Sequence, residues 1–171
     1  MVFALMKSKN SEESMEIGWK EWVCLPDLGV PAIKAKVDTG ARTSALHTFH
    51  IETFKQQDID MVKFHIHPLQ KKSELSIICV APVVEIRNVR DSGGHEEERY
   101  VIQTTLGLGK QQWPIEVTLT NRDNMMFRML LGRTAIRNRN IIINTDKSYL
   151  TGKKLRKAYS KSITESFRSK K

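Results

Sequence analysis

The segment of this sequence best suited to chemistry is the short acidic run Asp38-Thr39-Gly40-Ala41. It follows a strand predicted at residues 33–37, where apolar and basic residues alternate. Glycine can adopt backbone angles closed to other residues, so a tight loop here can present the carboxylate with hydrogen bonds that fix it. Two such loops face to face form a pair of carboxylates that share a proton, one acting as base and the other as acid. The run predicts carboxylate chemistry, although a plain turn would also explain it.

A second element, Met129-Leu130-Leu131-Gly132-Arg133, has the composition of a short apolar strand that ends at a glycine. A short helical turn is predicted to follow it, over residues 133–138. Together with the acidic run, this order of elements resembles retropepsin-like aspartic proteases. In those enzymes a hydrophobic-hydrophobic-glycine segment crosses behind the Asp loop.

The wider run Val37-Asp38-Thr39-Gly40-Ala41-Arg42-Thr43-Ser44-Ala45-Leu46-His47 is similar to one bacterial branch of that superfamily. The branch carries the label of an ATP-dependent zinc protease and is associated with the ligase that adds glutamates to a small-subunit ribosomal protein. Further matches lie at residues 99–102, 113–122 and 147–150. The resemblance covers roughly residues 17–151.

The resemblance implies an all-β fold, a closed retropepsin-like barrel. The residues themselves predict a short helix after Gly132 and a basic C-terminal tail or helix. The resemblance also implies Asp38 as the catalytic carboxylate, with Thr39 and Gly40 as its supporting loop. One Asp-Thr-Gly occurs in the chain. A two-aspartate mechanism therefore requires a homodimer, or a second acid from the same chain, for which Asp58, Asp60 and Asp146 are open alternatives.

Ala41, Arg42 and His47 are the residues predicted to contact substrate. Arg42 beside the loop could bind an acidic substrate or favour an ionised Asp38, and a plain surface arginine is an equal alternative. His47 could instead be a strand residue that hydrogen-bonds the Asp loop from behind.

The resulting hypothesis is an aspartic-type peptidase, a hydrolase that uses Asp38 on peptide or protein substrates. Acidic or glutamate-extended peptides are implied as substrates by the family's association alone. The alternative is an inactive barrel that binds a glutamate ligase or a ribosomal protein during ribosomal-protein modification. Replacing Asp38 by Asn separates the two, because it should abolish hydrolysis and leave binding intact.

No cofactor or metal is predicted, despite the label of the branch. The run Gly107-Leu108-Gly109 has Gln112 where a dinucleotide-binding motif needs glycine, and neither Gly-Lys pair has the earlier glycine of a phosphate-binding loop. His95-Glu96-Glu97-Glu98 is followed by Arg99 where a zinc protease needs histidine. His65 and His67 share a strand face, but zinc usually takes three or four ligands.

The elements that must position these residues are strands. Turn residues separate several of them, with a hairpin tip predicted at Asp91-Ser92-Gly93-Gly94 and a break at Gly107-Leu108-Gly109. Short strands at this spacing predict a barrel or a sandwich. Besides the two elements above, strands are predicted at residues 17–25, 46–54, 62–67, 75–89, 100–106, 115–120 and 141–143.

The net charge of +9 over 171 residues is concentrated at the C-terminal end. Residues 147–171 hold nine of the 28 basic residues and one acidic residue, a net charge of +8, so residues 1–146 carry only +1. Leu155, Tyr159, Ile163 and Phe167 recur every four residues there, which is typical of one helical face. Nucleic acid is therefore expected to bind, if at all, only through this tail.

The length fits one domain. The predicted organisation is a flexible lead-in over residues 1–14, the barrel over 15–151 and the basic tail, helical or disordered, over 152–171. Uninterrupted apolar runs are too short for a membrane-spanning helix, so no membrane partner is expected. Cys24 and Cys79 form no disulfide framework, which favours a reducing compartment and hence the cytoplasm.

Overall fold

The secondary structure is almost entirely β, as predicted. A computed structural model describes residues 13–70, 72–121 and 126–160. Within those ranges, one short α-helix and two 3-10 turns (Pro26–Leu28 and Lys154–Lys157) accompany the strands. The elements are β1 Met15–Gly18, β2 Lys20–Leu25, β3 Val30–Val37, β4 Ser44–His47, β5 Phe49–Gln56, β6 Ile59–Ile66, β7 Ile77–Pro82, β8 Glu85–Arg90, β9 Glu96–Leu108, β10 Gln111–Thr120, β11 Met129–Leu131, α1 Arg133–Ile136 and β12 Ile141–Asn144.

The largest sheet has seven strands in the order β10-β4-β11-β3-β2-β9-β8, and β9 also pairs with β10. Strands β3 and β11 run parallel, with Leu131 beside Val37. Because parallel strands end at the same edge of a sheet, the residues that follow them, Asp38 and Gly132, leave the sheet together. This pairing joins the two elements on which the sequence prediction rests.

The core lies on the inner face of this sheet. Period-two alternation in β3 places Ile33 and Ala35 fully inside while Lys36 is exposed. A second sheet, β5-β6-β7, packs its apolar face against the same core. The other large side chains with no exposed surface are Phe64, Ile17, Leu25, Leu46, Ile66, Ile102, Leu106, Leu108, Leu119, Met129 and Leu131.

The segment after β12 is tied to the sheet by a buried carboxylate. Glu21 on β2 is fully buried and accepts hydrogen bonds from the amide of Gly18 (2.7 Å), the amide of Leu150 (2.8 Å) and the hydroxyl of Thr151 (2.8 Å). Farther along, the buried hydroxyl of Tyr159 hydrogen-bonds the backbone of Ala32. A buried carboxylate is tolerated only when it is hydrogen-bonded in this way.

Four predicted boundaries are wrong. The strands predicted at residues 17–25 and 46–54 are each two strands, β1 with β2 and β4 with β5, and the two members of each pair lie in different sheets. The strand predicted at residues 75–89 is two strands, because Val83 donates to the carbonyl of Asp60 in one sheet and Val84 donates to that of Val101 in the other. Gly107 belongs to β9, and the chain turns instead at Gly109, whose φ of 62° favours glycine. The hairpin at residues 91–94 and the short helix after Gly132 are confirmed.

The predicted chain ends fall mostly outside the described residues. Residues 1–12 of the predicted lead-in, together with Ile163 and Phe167 of the predicted tail stripe, lie beyond them. Within the described part, Lys154–Lys157 form a 3-10 turn, and Tyr159 is packed against Trp22 and Ala32. No helix in residues 13–70, 72–121 or 126–160 is long and apolar enough to cross a membrane.

Candidate active site

The Asp38 loop begins where β3 ends. The amide of Asp38 donates to the carbonyl of Leu131 at 2.9 Å, which extends the β3–β11 pairing by one residue. The side chain of Asp38 is half-buried and lines an open cleft. The end of the sheet therefore aims this carboxylate at a space that a ligand can enter.

Two backbone amides hold the Asp38 carboxylate. The N–H of Gly40 donates to Oδ1 at 3.0 Å, and the N–H of Ala41 donates to the same oxygen at 3.3 Å. The amide of Ala41 also lies 3.2 Å from the carbonyl oxygen of Asp38, which closes the turn. An Asp side chain that bonds the amide two residues on is a recurrent loop geometry, and it leaves the carboxylate with one orientation.

The start of α1 crosses directly behind the loop. The amide of Arg133 donates to the carbonyl of Ala41 (2.9 Å), and that of Thr134 donates to the carbonyl of Arg42 (3.0 Å). The amide of Gly132 donates to Oγ of the buried Ser44 at 3.1 Å. The loop is thus bonded to a neighbouring element along its whole length.

The Arg133 side chain clamps the tip of the same loop. Its Nη1 donates to the carbonyl of Thr39 at 2.7 Å and to that of Gly40 at 3.1 Å. Hydrogen bonds from a charged donor are stronger than neutral ones. Arg133 therefore fixes the two peptide groups that follow Asp38.

The cleft has a volume of about 700 Å³. Its walls are the Asp38 loop, strand β8, the hairpin tip after β8, and parts of β9 and β10. Among the described residues, Asp38 and Asp91 line it together with five arginines, Arg42, Arg87, Arg90, Arg99 and Arg133. Arg87, Arg90 and Arg99 are each paired with a glutamate, whereas Arg42 and Arg133 form no ion pair in the described part of the chain. An anionic ligand would therefore meet the positive charge of these two arginines.

Two of these arginines face each other across neighbouring strands, Arg87 on β8 and Arg99 on β9. Nη1 of Arg87 donates to Oγ1 of Thr43 at 3.0 Å, and Nη2 lies 3.1 Å from Oε2 of Glu116. Like charges directly opposite each other destabilise a sheet unless other groups compensate. The contact with Thr43 joins this arginine pair to the Asp38 loop.

Each arginine of the pair has its own carboxylate. Desolvation lowers the pKa of Arg87, but hydrogen bonds to Glu116 and Glu85 outweigh it and raise the pKa above its usual value. Arg99 is only 7% exposed, and its Nε and Nη2 each lie 3.0 Å from Oε2 of Glu97. These ion pairs hold both guanidinium groups in place.

Some of the residues predicted to contact substrate line the cleft and others do not. Ala41 and Arg42 line the cleft together with Asp38 and Gly40, whereas Thr39 contributes its carbonyl to Arg133. His47 is buried in β4, 4% exposed, and is not among the residues that line the cleft. Asp58, Asp60 and Asp146 are not among them either, and Asp60 pairs with Lys55 on the β5–β6 sheet.

The carboxylate that sequence reasoning missed is Asp91. Its Oδ1 accepts hydrogen bonds from the amides of Gly93 (2.8 Å) and His95 (3.0 Å), which shape the hairpin tip. The turn pattern around it predicts the hairpin. Only the pairing of β8 with β9 reveals that this hairpin reaches the cleft of Asp38.

The histidines do not assemble a metal site within residues 13–70, 72–121 and 126–160, where no group of three or more His, Cys, Asp or Glu side chains is placed to hold one. His67 stacks on Phe49 with ring centroids 4.0 Å apart, and His65 meets the edge of the same ring at 5.5 Å. His67 Nδ1 also lies 3.1 Å from the carbonyl oxygen of Leu75. These two histidines pack together on the β5–β6 sheet.

Comparisons with known proteins identify the family of this chain. The RimB-like family, described as "Retropepsin-like aspartic endopeptidase RimB", matches residues 16–154. A protein of Shewanella pealeana named "Probable alpha-L-glutamate ligase" is 44% identical over 144 residues, which are 84% of this chain and 31% of that protein. A protein of the same name from Parasynechococcus marenigrum is 48% identical over 136 residues, 80% of this chain and 29% of that protein.

The chain therefore spans about a third of the length of the curated relatives it matches. Among solved structures, the crystal structure of a Legionella pneumophila protein of unknown function superposes with a TM-score of 0.67. That pair is 26% identical, and the match covers 80% of this chain and 98% of the other.

Proposed function

Because the chain belongs to the RimB-like family of retropepsin-like aspartic endopeptidases, we propose that it is an aspartic-type peptidase whose catalytic carboxylate is Asp38. The observation that carries this proposal is the carboxylate itself, oriented by the amides of Gly40 and Ala41 and opening into a cleft of about 700 Å³. A carboxylate held in one orientation beside a substrate-sized space is what general acid–base hydrolysis requires.

The second carboxylate of the reaction is proposed to be Asp38 of a second copy of the chain. The chain has a single Asp-Thr-Gly loop, so its cleft contains one such loop. The other carboxylate that lines it, Asp91, accepts two amide hydrogen bonds at Oδ1 and holds the hairpin tip. Two Asp38 carboxylates at close range cannot both ionise easily, so one stays protonated and the pair divides the acid and base roles.

The proposed reaction is hydrolysis of a peptide bond. The ionised carboxylate takes a proton from a water molecule whose oxygen attacks the peptide carbonyl carbon, while the protonated carboxyl donates to the carbonyl oxygen. The tetrahedral intermediate then breaks its C–N bond as the carboxyl that took the proton of water passes it to the nitrogen, and the other carboxylate recovers its proton from a hydroxyl of the intermediate. The products are a carboxylic acid and an amine, and both carboxyl groups return to their starting states.

The proposed substrate is an acidic chain, in particular a peptide extended by glutamates. Arg42 and Arg133 line the cleft and have no glutamate partner in the described part of the chain, and guanidinium groups match carboxylates with paired hydrogen bonds. The curated relatives are named for glutamate ligation, and this chain matches about a third of their length. A product of such a ligase carries the carboxylates that this cleft would attract, and the ligase or its ribosomal-protein product would be the partner.

The decisive experiment compares the protein with Asp38→Asn on a glutamate-rich peptide, with cleavage followed by mass spectrometry between about pH 4 and 8. We expect cleavage by the wild-type protein and none by the variant. Asp60→Asn is the matched control, because it removes one carboxylate from the β5–β6 sheet and should cleave normally. Cleavage by Asp38→Asn at the wild-type rate would refute the role of Asp38.

Mixing wild-type protein with Asp38→Asn tests the two-copy site. If both carboxylates are Asp38, activity falls as the square of the wild-type fraction once subunits exchange. A linear fall would mean that each copy works alone.

Arg42→Gln tests the substrate class. Arg42 is exposed beside the loop, so its loss should raise KM for the glutamate peptide by roughly 10-fold with little change in kcat. Arg137→Gln removes the same charge outside the cleft lining and should leave KM unchanged. Equal KM values for Arg42→Gln and wild type would argue against recognition of acidic substrates by this residue.

A second function is supported by the same two arginines, Arg42 and Arg133, namely binding of an acidic chain without hydrolysis. In that case the domain would act as a binding partner in ribosomal-protein modification. Cleavage distinguishes the two functions. If the domain is a binding module, the wild-type protein leaves the glutamate peptide intact, and Asp38→Asn binds the peptide with the same Kd as wild type.

A further inference from the structure

A second basic surface lies outside the cleft, on the face of β2 and β3 where the C-terminal segment docks. Lys20 stands directly opposite Lys36, and Lys34 stands opposite the buried Trp22, so the three lysines share one face of the sheet. Segment 147–160 lies against these strands and exposes its basic side chains. This basic face consists of Lys20, Lys34, Lys36, Lys147, Lys153, Lys154, Arg156 and Lys157.

Little negative charge accompanies these residues. Strand β3 and segment 147–160 contain no Asp or Glu, and the one acid of β2, Glu21, is fully buried. The ion pairs seen in the described part of the chain involve none of Lys20, Lys36 and Lys153. Like charges directly opposite each other destabilise a strand pair, and an anion bound across Lys20 and Lys36 would relieve that repulsion.

The charges of the face are held on a rigid support. Lys20 and Tyr149 are joined by a backbone hydrogen bond of 2.9 Å, Glu21 holds Leu150 and Thr151, and Tyr159 bonds Ala32. Within the segment, Leu155 packs inward while its basic neighbours are exposed. The face is therefore preorganised, which lowers the entropic cost of binding.

Aromatic rings are interleaved with the lysines. Nζ of Lys20 lies 4.4 Å from the ring centroid of Trp19 and 5.3 Å from that of Tyr149. Nζ of Lys153 lies 5.4 Å from Tyr149. Both rings are partly exposed. Basic side chains next to partly exposed rings are features of surfaces that bind single-stranded nucleic acid, and a stacking base would displace the ammonium group from the ring face.

We infer that this basic face binds the phosphate backbone of single-stranded RNA. Seven of its eight basic residues are lysines, whereas all five basic residues of the cleft are arginines. Lysine is a compact point charge that accepts phosphates in varied positions, whereas arginine is a planar fork that binds a carboxylate or a phosphate in a fixed geometry. The two surfaces thus differ in how strictly they would orient an anion, and the lysine face suits a flexible phosphate backbone. This inference goes beyond the proposed function and involves no residue of the cleft.

The test measures fluorescence anisotropy of a labelled RNA of about 12 nucleotides, within the site sizes of such proteins. Affinity is recorded at increasing salt for the full chain and for Lys20→Gln/Lys36→Gln. We expect a wild-type Kd of about 1–100 µM near physiological salt. In the double variant, the slope of log K against log salt should fall by about 1.4, and affinity at about 0.1 M salt should fall by 10-fold or more.

Lys55→Gln/Lys63→Gln is the matched control, because it removes the same charge from the β5–β6 sheet and should retain the wild-type affinity and slope. Thermal unfolding of each variant excludes loss of fold as the cause. Equal RNA affinity of Lys20→Gln/Lys36→Gln and wild type would overturn the inference. The inference would also be overturned, in favour of an acidic protein partner, if a glutamate peptide of equal charge bound more tightly than the RNA and lost this binding in Lys20→Gln/Lys36→Gln.

Discussion

Gly132 lies so close to Thr43 that a Cβ on Gly132 would stand 2.5 Å from the carbonyl carbon of Thr43 and 2.7 Å from its oxygen. Both atoms belong to backbone that is hydrogen-bonded on each side, so neither can move away easily. The φ of Gly132 is −81°, which any residue adopts. Glycine is therefore required at this position because the backbone of Thr43 leaves no space for a side chain, and not because of its backbone angles.

Gly132→Ala is expected to displace the loop that carries Asp38. The methyl group would overlap backbone atoms of Thr43 and Arg42, and overpacking of this kind costs about 1–3 kcal/mol or more. Urea denaturation should show the loss of stability, and peptidase activity per folded molecule should also fall. Gly93→Ala is the control, since its Cβ would meet only side chains of the exposed hairpin. Unchanged stability and activity of Gly132→Ala would contradict the role assigned to this contact.

Arg133→Lys is expected to slow turnover more than it weakens substrate binding. The variant keeps the charge but loses the planar group that bonds the carbonyls of Thr39 and Gly40, so the loop beside Asp38 gains freedom. Misplacement of a catalytic group by a fraction of an ångström can reduce kcat by roughly 10- to 100-fold. Steady-state kinetics should show the fall in kcat with a smaller change in KM. Arg137→Lys should behave as wild type, and a change confined to KM would instead assign Arg133 to substrate binding.

The local parts of the site could be predicted from sequence, because each rests on neighbouring residues. Alternation in residues 33–37 predicts β3, the apolar run before Gly132 predicts β11, and the run over residues 37–47 carries the resemblance that the match over residues 16–154 confirms. The glycine after β11 also has the expected position behind the Asp loop.

The walls of the cleft could not be predicted in the same way. Arg87 reaches Thr43 across 44 positions of sequence, and Arg99 comes beside Arg87 only through the register of β8 and β9. A charged residue in a strand pattern is ordinarily solvent-facing, so nothing local distinguishes Arg99, which is 7% exposed. For the same reason Asp91 is predicted as a turn residue and not as a residue of the cleft.

Glu21→Ala is expected to destabilise the protein by about 3 kcal/mol. The change leaves the amides of Gly18 and Leu150 and the hydroxyl of Thr151 without the carboxylate that now accepts from them in the interior. Glu16→Ala is the matched control on an adjacent strand, because Glu16 bonds Asn144 at the surface, and it should cost less than about 1 kcal/mol. Denaturant midpoints of the two variants measure the difference. Equal midpoints would mean that the segment after β12 does not depend on the buried carboxylate.

Stability is expected to fall in alkali because two buried groups resist deprotonation in the folded state. Burial raises the pKa of Cys79 from 9.0 to about 12 and that of Tyr159 from 10.0 to about 12. Above about pH 9 the unfolded chain therefore binds fewer protons than the folded one, so the free energy of unfolding decreases until about pH 12. Urea denaturation between pH 7 and 11 should show this decrease.

Tyr159→Phe isolates the tyrosine contribution to that decrease. At pH 7 the variant should be less stable by about 1 kcal/mol, because it loses the hydrogen bonds with Ala32. As the pH rises through about 10, Tyr159 lowers the free energy of unfolding of the wild-type protein, because the unfolded chain loses this proton first. The variant has no such group, so the difference in free energy of unfolding between the two proteins should narrow. Cys79→Ala should reduce the decrease that begins near pH 9 in the same way. If the difference in free energy of unfolding between wild type and Tyr159→Phe stays constant from pH 7 to 11, Tyr159 has the same pKa in the folded and unfolded chains.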